Sequence, residues 1–277
     1  MSPVPLEKPG QNRPRIIAVA NQKGGVGKTT TTINIGAAMA AIGERVLIID
    51  VDPQGNASTG LGVPPSERGF TTLDVLVGEA SLAQAVHQTS VPNLALAPAT
   101  VDLSGVELEL IEMERRNYRL RDAIDAFGGP DGAAEPYDYI FIDCPPSLGL
   151  LTVNAMAASD AVLAPLQCEF FALEGLSQLL RTIEMVRAQL NPRLEVQGVV
   201  LTMFDRRNNL SEQVAADVRE HMGETVYQTV IPRNVRISEA PSHGKPALIY
   251  DYKCAGSQAY IRLASEVIQR ERRARAA

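Results

Sequence analysis

The segment Lys23-Gly-Gly-Val-Gly-Lys-Thr-Thr30 constrains this chain more than any other. It follows a short apolar run, Arg15-Ile-Ile-Ala-Val-Ala20, and opens a helical pattern that reaches Ala41 and closes at Gly43. A buried strand passing through glycines into a helix is a ready-made anion cradle. Gly24, Gly25 and Gly27, with Val26 between them, let successive N–H groups turn inward, and the helix adds its positive dipole end. An ordinary strand-to-helix turn has no need of a lysine and two threonines after its last glycine. With phosphates in the cradle, Lys28 reaches the terminal ones, Thr29 offers its hydroxyl to Mg²⁺, and Thr30 completes the nucleotide-binding loop.

The apolar pattern recurs at Arg45–Asp50, Tyr139–Asp143, Ala161–Pro165 and Val196–Thr202, without the alternation of a half-exposed strand. Such runs, separated by helical stretches at 104–127, 149–158, 171–190, 208–222 and 255–273, predict a parallel sheet covered on both faces. The fold class expected is therefore α/β, a doubly wound and mostly parallel sheet. Residues 1–14 read as a Pro-rich arm and 15–277 as one domain, with the glycine-rich stretch 128–136 a loop inside it. A hydrophobic content of 45% in 277 residues supplies a sizeable core. Three scattered cysteines suit a reducing cytoplasm and make neither a disulfide framework nor a zinc site. No apolar run reaches the roughly 18 residues of a membrane span.

Two further segments carry carboxylates to strand ends. Asp50 and Asp52 in Ile49-Asp-Val-Asp-Pro-Gln-Gly-Asn56 share one strand face, and Asp143 ends the run Tyr139-Ile-Phe-Ile-Asp143. The carboxyl end of an open α/β sheet is where ligands bind. Asp143 reads as a Mg²⁺-ordering carboxylate, and Asp52 as the acceptor that hydrolysis needs near a γ-phosphate. Asp50 reads equally as part of the metal's water shell or as a structural residue. After the strand at 196–202 comes Thr202-Met-Phe-Asp205 rather than the Asn-Lys-x-Asp with which GTPases read guanine, so adenine is the better match.

Where the common phosphate loop begins with glycine, this one has Gln22, followed by the extra Lys23. That variant resembles the loop of the ParA/MinD family of P-loop ATPases. Ala20–Thr30, Asp52-Pro-Gln-Gly-Asn56 and Ile231–Lys245 are similar to its chromosomal ParA (Soj) branch, and the likeness runs from about Arg15 to Ile268. The resemblance implies an ATP- and Mg²⁺-dependent hydrolase in which Lys23 crosses a nucleotide-sandwich homodimer to the partner's phosphates. Asp52 would activate water, and Thr29, Asp50 and Asp143 would serve the metal. Met203, Pro232 and Asn234 would flank the adenine.

The same resemblance implies sequence-independent binding of double-stranded DNA, chromosome or plasmid segregation with a ParB-type partner, and a nucleoid-associated location. Read alone, the net charge of −6 argues against a uniformly basic nucleic-acid binder, yet it is unevenly spread. Residues 1–201 carry 14 basic and 23 acidic side chains, whereas 202–277 carry 12 and 9. Arg206, Arg207, Arg233, Arg236, Lys245 and Lys253 are the DNA candidates, with Arg207 and Arg236 foremost by resemblance. A membrane partner is not expected, because the chain has no bulky apolar residue after Ile268. The competing readings are a MinD-like membrane-cycling ATPase, an ATP-gated scaffold for another cargo, and a nucleotide-binding protein with no turnover.

Overall fold

The computed structural model describes residues 13–127 and 137–276; the expected loop at 128–136 and most of the expected arm lie outside them. Strands form at Arg15–Val19 (β1), Val46–Asp50 (β2), His87–Gln88 (β3), Leu94–Ala97 (β4), Tyr139–Asp143 (β5), Ala161–Gln167 (β6) and Glu195–Thr202 (β7). Among the described residues they make one seven-stranded sheet of order β3-β4-β2-β5-β1-β6-β7. Its pairs are parallel, apart from the antiparallel β3–β4 edge.

Consecutive strand residues alternate between two cores, as the unbroken apolar runs require. Ile16, Ala18, Leu47, Ile49, Ile140 and Ile142 face one core. Ile17, Val19, Val46, Ile48, Tyr139 and Phe141 face the other. Full burial stabilises each large aliphatic side chain by about 1.5–3 kcal/mol. The second core is closed by α1 (Lys28–Ala41), α2 (Asn56–Gly60), α10 (Val235–Glu239), α11 (Ala247–Tyr250) and α12 (Ala255–Ala276). The first is closed by α3 (Thr72–Val77), α4 (Leu82–Ala85), α5 (Val106–Leu110), α6 (Arg119–Phe127), α7 (Leu150–Ala158), α8 (Ala172–Gln189) and α9 (Asn209–Met222).

The continuous helix expected over 104–127 is not formed. It is split into a 3₁₀ turn at Val101–Gly105, then α5, then α6 from Arg119. Arg115 adopts a left-handed φ of 57°. The buried Asn154 of α7 satisfies the backbone where the break meets α6: its Oδ1 accepts from the Leu120 amide, and its Nδ2 donates to the Arg116 carbonyl. A tertiary cap has overridden local propensity. β4 was not expected either, nor were β3 and the short helices α2, α3, α4, α10 and α11. The Leu-Ala-Leu-Ala run of β4 is short, but each residue is buried and paired with β2.

Candidate nucleotide site

The strand order places three parallel carboxyl strand ends side by side: β2, β5 and β1. Asp50 pairs in register with Asp143, and Asp143 with Val19, immediately before the glycine loop. Gly25 and Gly27 take φ values of 75° and 88°, the left-handed conformation that lets the loop curl into α1. The loop is held from outside. Asn21 Nδ2 donates to the Pro165 carbonyl at 2.7 Å, Asn21 Oδ1 accepts from the Lys23 amide at 3.0 Å, and Thr202 Oγ1 donates to the Val26 carbonyl at 2.8 Å.

Lys28 is buried and folds back across the loop, donating from Nζ to the Lys23 carbonyl at 3.1 Å. Burial holds its ammonium below the ordinary lysine range, against the pull of Asp143 and Asp52. Lys23 points the other way, its Nζ 2.6 Å from Glu169 Oε2.

Both strand-end carboxylates are fully buried. Asp50 Oδ2 accepts from the amide and hydroxyl of Ser58 at 2.9 and 2.7 Å, and Oδ1 from the Asp52 amide at 3.2 Å. Burial nevertheless lifts Asp50 to about 6. Burial and the neighbouring Asp50 charge lift Asp143 well above the carboxylate range, opposed by the nearby hydroxyls of Thr29 and Thr32. Asp143 Oδ1 accepts from Thr32 Oγ1 at 3.0 Å, whereas Oδ2 is buried with no hydrogen-bond partner among the described residues. An orphaned carboxylate oxygen beside Thr29 fits a hydrated Mg²⁺, a cation commonly held by one or two carboxylates and substrate phosphates. Accordingly, among the described residues no cluster of three or more His, Cys, Asp or Glu could hold a metal unaided.

Asp52 is also buried; its Oδ1 accepts from the Gln54 amide at 3.0 Å. The turn that carries it is pinned by Arg68, which donates to the Val63, Ala99 and Gly55 carbonyls and to Thr59 Oγ1. A Cβ at Gly55 would fall on the Arg68 guanidinium and lie 2.8 Å from the Ala99 oxygen, so this clamp requires glycine there. At the far end of the loop, Met203 takes a left-handed φ of 50°, and its methyl lies 3.9 Å from the position of a Cβ on Gly27. Phe204 bridges to Pro232, which brings 203–205 beside 231–234. Asn234 caps α10 by accepting from the Arg236 amide.

Comparison with known proteins decides the family. A family model described as an AAA domain matches residues 14–196. The chromosome partitioning protein ParA of Caulobacter vibrioides is 67% identical over 258 residues, covering 93% of this chain and 95% of that protein. The chain belongs to the ParA/MinD family of P-loop ATPases. The sporulation initiation inhibitor protein Soj of Bacillus subtilis is 52% identical over 253 residues, covering 91% and 98%. Among solved structures, cobyrinic acid a,c-diamide synthase from Mycobacterium smegmatis, with bound ATP analogue and magnesium, superposes with a TM-score of 0.80. It is 37% identical and covers 94% of this chain and 96% of its own.

The basic candidates divide into three places. Arg206, Arg207 and Arg233 line a cavity of about 580 Å³ together with Arg262, which sequence reasoning passed over, above an apolar floor including Phe204, Val230 and Pro232. Arg236 and Lys253 meet at Asp251, whose Oδ2 lies 3.6 Å from Arg236 Nε and whose Oδ1 accepts from the Lys253 amide. Lys245 stands apart, lining a groove with Thr29, Thr30, Asn56 and Thr59. Arg68, Ser58, Thr32 and Glu169 were also not singled out from sequence. Each makes its contact only after chain segments meet, and Glu169 lies 146 positions from Lys23.

Proposed function

We propose that this chain is a Mg²⁺-dependent ATPase that closes into a homodimer around ATP. As that dimer it binds double-stranded DNA without sequence preference, and with a ParB-type partner it segregates a chromosome or plasmid on the cytoplasmic nucleoid. The observation that carries the reading is the pairing of a buried Lys28 with an outward-facing Lys23 on one glycine loop, above the orphaned oxygen of Asp143. The partitioning role of its relative in Caulobacter vibrioides supports the cellular part.

The loop amides and Lys28 bind and orient the phosphates, and Met203, Pro232 and Asn234 flank the base. Thr29, Asp50 and Asp143 would hold Mg²⁺, which neutralises charge on the phosphates when bound. The Gln54 amide fixes the Asp52 carboxylate through one oxygen, which leaves the other to orient the attacking water. Lys28 stabilises charge developing on the terminal phosphate, and Lys23 adds its charge from across the dimer.

DNA contact falls to Arg207 and Arg236, with Arg206, Arg233, Lys245 and Lys253 supplementing them. Two subunits would double the number of arginines, which suits a backbone-directed, salt-sensitive interaction. Light scattering tests the assembly. ATP should double the 29.8 kDa mass, while ADP and the Lys23→Ala variant should leave it unchanged. A monomer in ATP, or an unimpaired Lys23→Ala dimer, would contradict the reading.

A further inference from the structure

The outward-facing Lys23 is not free in the single chain. Its ammonium lies 2.6 Å from Glu169 Oε2, and Gln167 Nε2 donates to the other oxygen, Oε1. Both carboxylate oxygens are thereby engaged and the acceptor is oriented before the lysine arrives. Glu169 stands in the turn between β6 and α8. The strand that leads into that turn, β6, is fastened to the loop as well, through the buried Asn21, which bridges the Pro165 carbonyl and the Lys23 amide. The Lys23 backbone is therefore fixed relative to Glu169, and only its side chain has to move. Both side chains are accessible, at 41% and 46% exposure, so an incoming anion can reach the pair.

We infer that Glu169 is a positioning residue that keeps Lys23 within its own subunit and thereby sets the threshold for ATP-driven pairing of two chains. The inference rests on the role given to Lys23 above. Forming the dimer exchanges one anionic partner of Lys23, a monovalent carboxylate, for another, the phosphates of the opposite subunit. The gain is the difference between two attractive pairs rather than the whole of one. A nearly balanced exchange is tipped by small differences in charge, so a triphosphate wins the lysine where a diphosphate does not. Glu169 thus sharpens discrimination between ATP and ADP at a distance from the base and the cradle. An exposed pair of this kind is worth up to about a factor of five in an equilibrium constant. Two are released per dimer, so the combined bias is up to about 25-fold.

Glu169→Gln tests this, since glutamine keeps an acceptor for Gln167 and removes the charge. In nucleotide-free protein, acylation of Lys23 by an amine-reactive ester, read by mass spectrometry, should become several-fold faster. The ATP-dependent dimer should tighten by about 5- to 25-fold in sedimentation, and some dimer should form with ADP. Binding of a fluorescent ATP analogue to the monomer and the melting temperature should stay at wild-type values. Unchanged Lys23 labelling, or a dimer equal to or weaker than wild type, would overturn the inference. Lys23→Ala, measured beside it, separates the two failures. If Lys23→Ala cannot dimerise and Glu169→Gln does not tighten, the latch alone is wrong. If Lys23→Ala dimerises normally, the role of Lys23 itself falls.

Discussion

The nucleotide end of the sheet and the basic surface beside it hold their charges in opposite ways. At the strand ends, Lys28, Asp50, Asp52 and Asp143 are buried, and each of them is fixed by named backbone or hydroxyl partners. On the surface, Arg207 is 89% exposed along its side chain and forms a two-point pair with Asp205. Arg236 is held by Glu239 and Asp251. Chemistry on a phosphoanhydride needs groups that do not reorganise when charge develops. Contact with a phosphate backbone needs only cations that can exchange one anion for another, and exposed pairs are weak enough to allow it. Self-paired arginines also fit the proposal of a DNA face on a chain of net charge −6.

The contrast can be broken by substitution. The largest effect is expected at Lys28→Ala, with kcat falling about 10²- to 10³-fold in a phosphate-release assay; a loss below tenfold would place the preorganised charge elsewhere. Next comes a pair of arginines. Arg68→Ala leaves buried carbonyls unsatisfied and should cost about 1–3 kcal/mol in urea unfolding. Arg207→Ala on the surface should cost under about 0.5 kcal/mol. Equal losses would erase the distinction between the two regions.

Arg236→Glu should weaken binding to a random duplex about tenfold and flatten its salt dependence while the ATP-dependent mass doubling persists. Loss of both would make Arg236 structural. The smallest effect concerns pH. Asp50, raised to about 6, gives the folded chain more bound protons than the unfolded one between about pH 4 and 6. Its contribution to stability therefore grows as pH falls from 7 through that window. Asp50→Asn should flatten this part of the curve of melting temperature against pH in nucleotide-free protein.

Legibility from sequence followed the range of the interactions. The glycine loop and most core strands are local patterns, so their places along the chain could be read directly. The break between α5 and α6 could not, because Asn154 imposes it from another helix. β4 was hidden by its length and its alanines. The carboxylates at 50, 52 and 143 could be found because strand ends converge in this fold. By contrast, the basic residues were a composition without geometry, and only the folded chain parts Lys245 from Arg206, Arg207 and Arg233. Arg68 and Glu169 had no signature at all, since their partners come from elsewhere in the chain.

In the proposed cycle, nucleotide state governs a DNA-binding surface. The most direct test is affinity for a random-sequence duplex in ATP, ADP and no nucleotide, at two salt concentrations. Tight, steeply salt-dependent binding with ATP alone is the predicted result. Equal binding in all three states would contradict it.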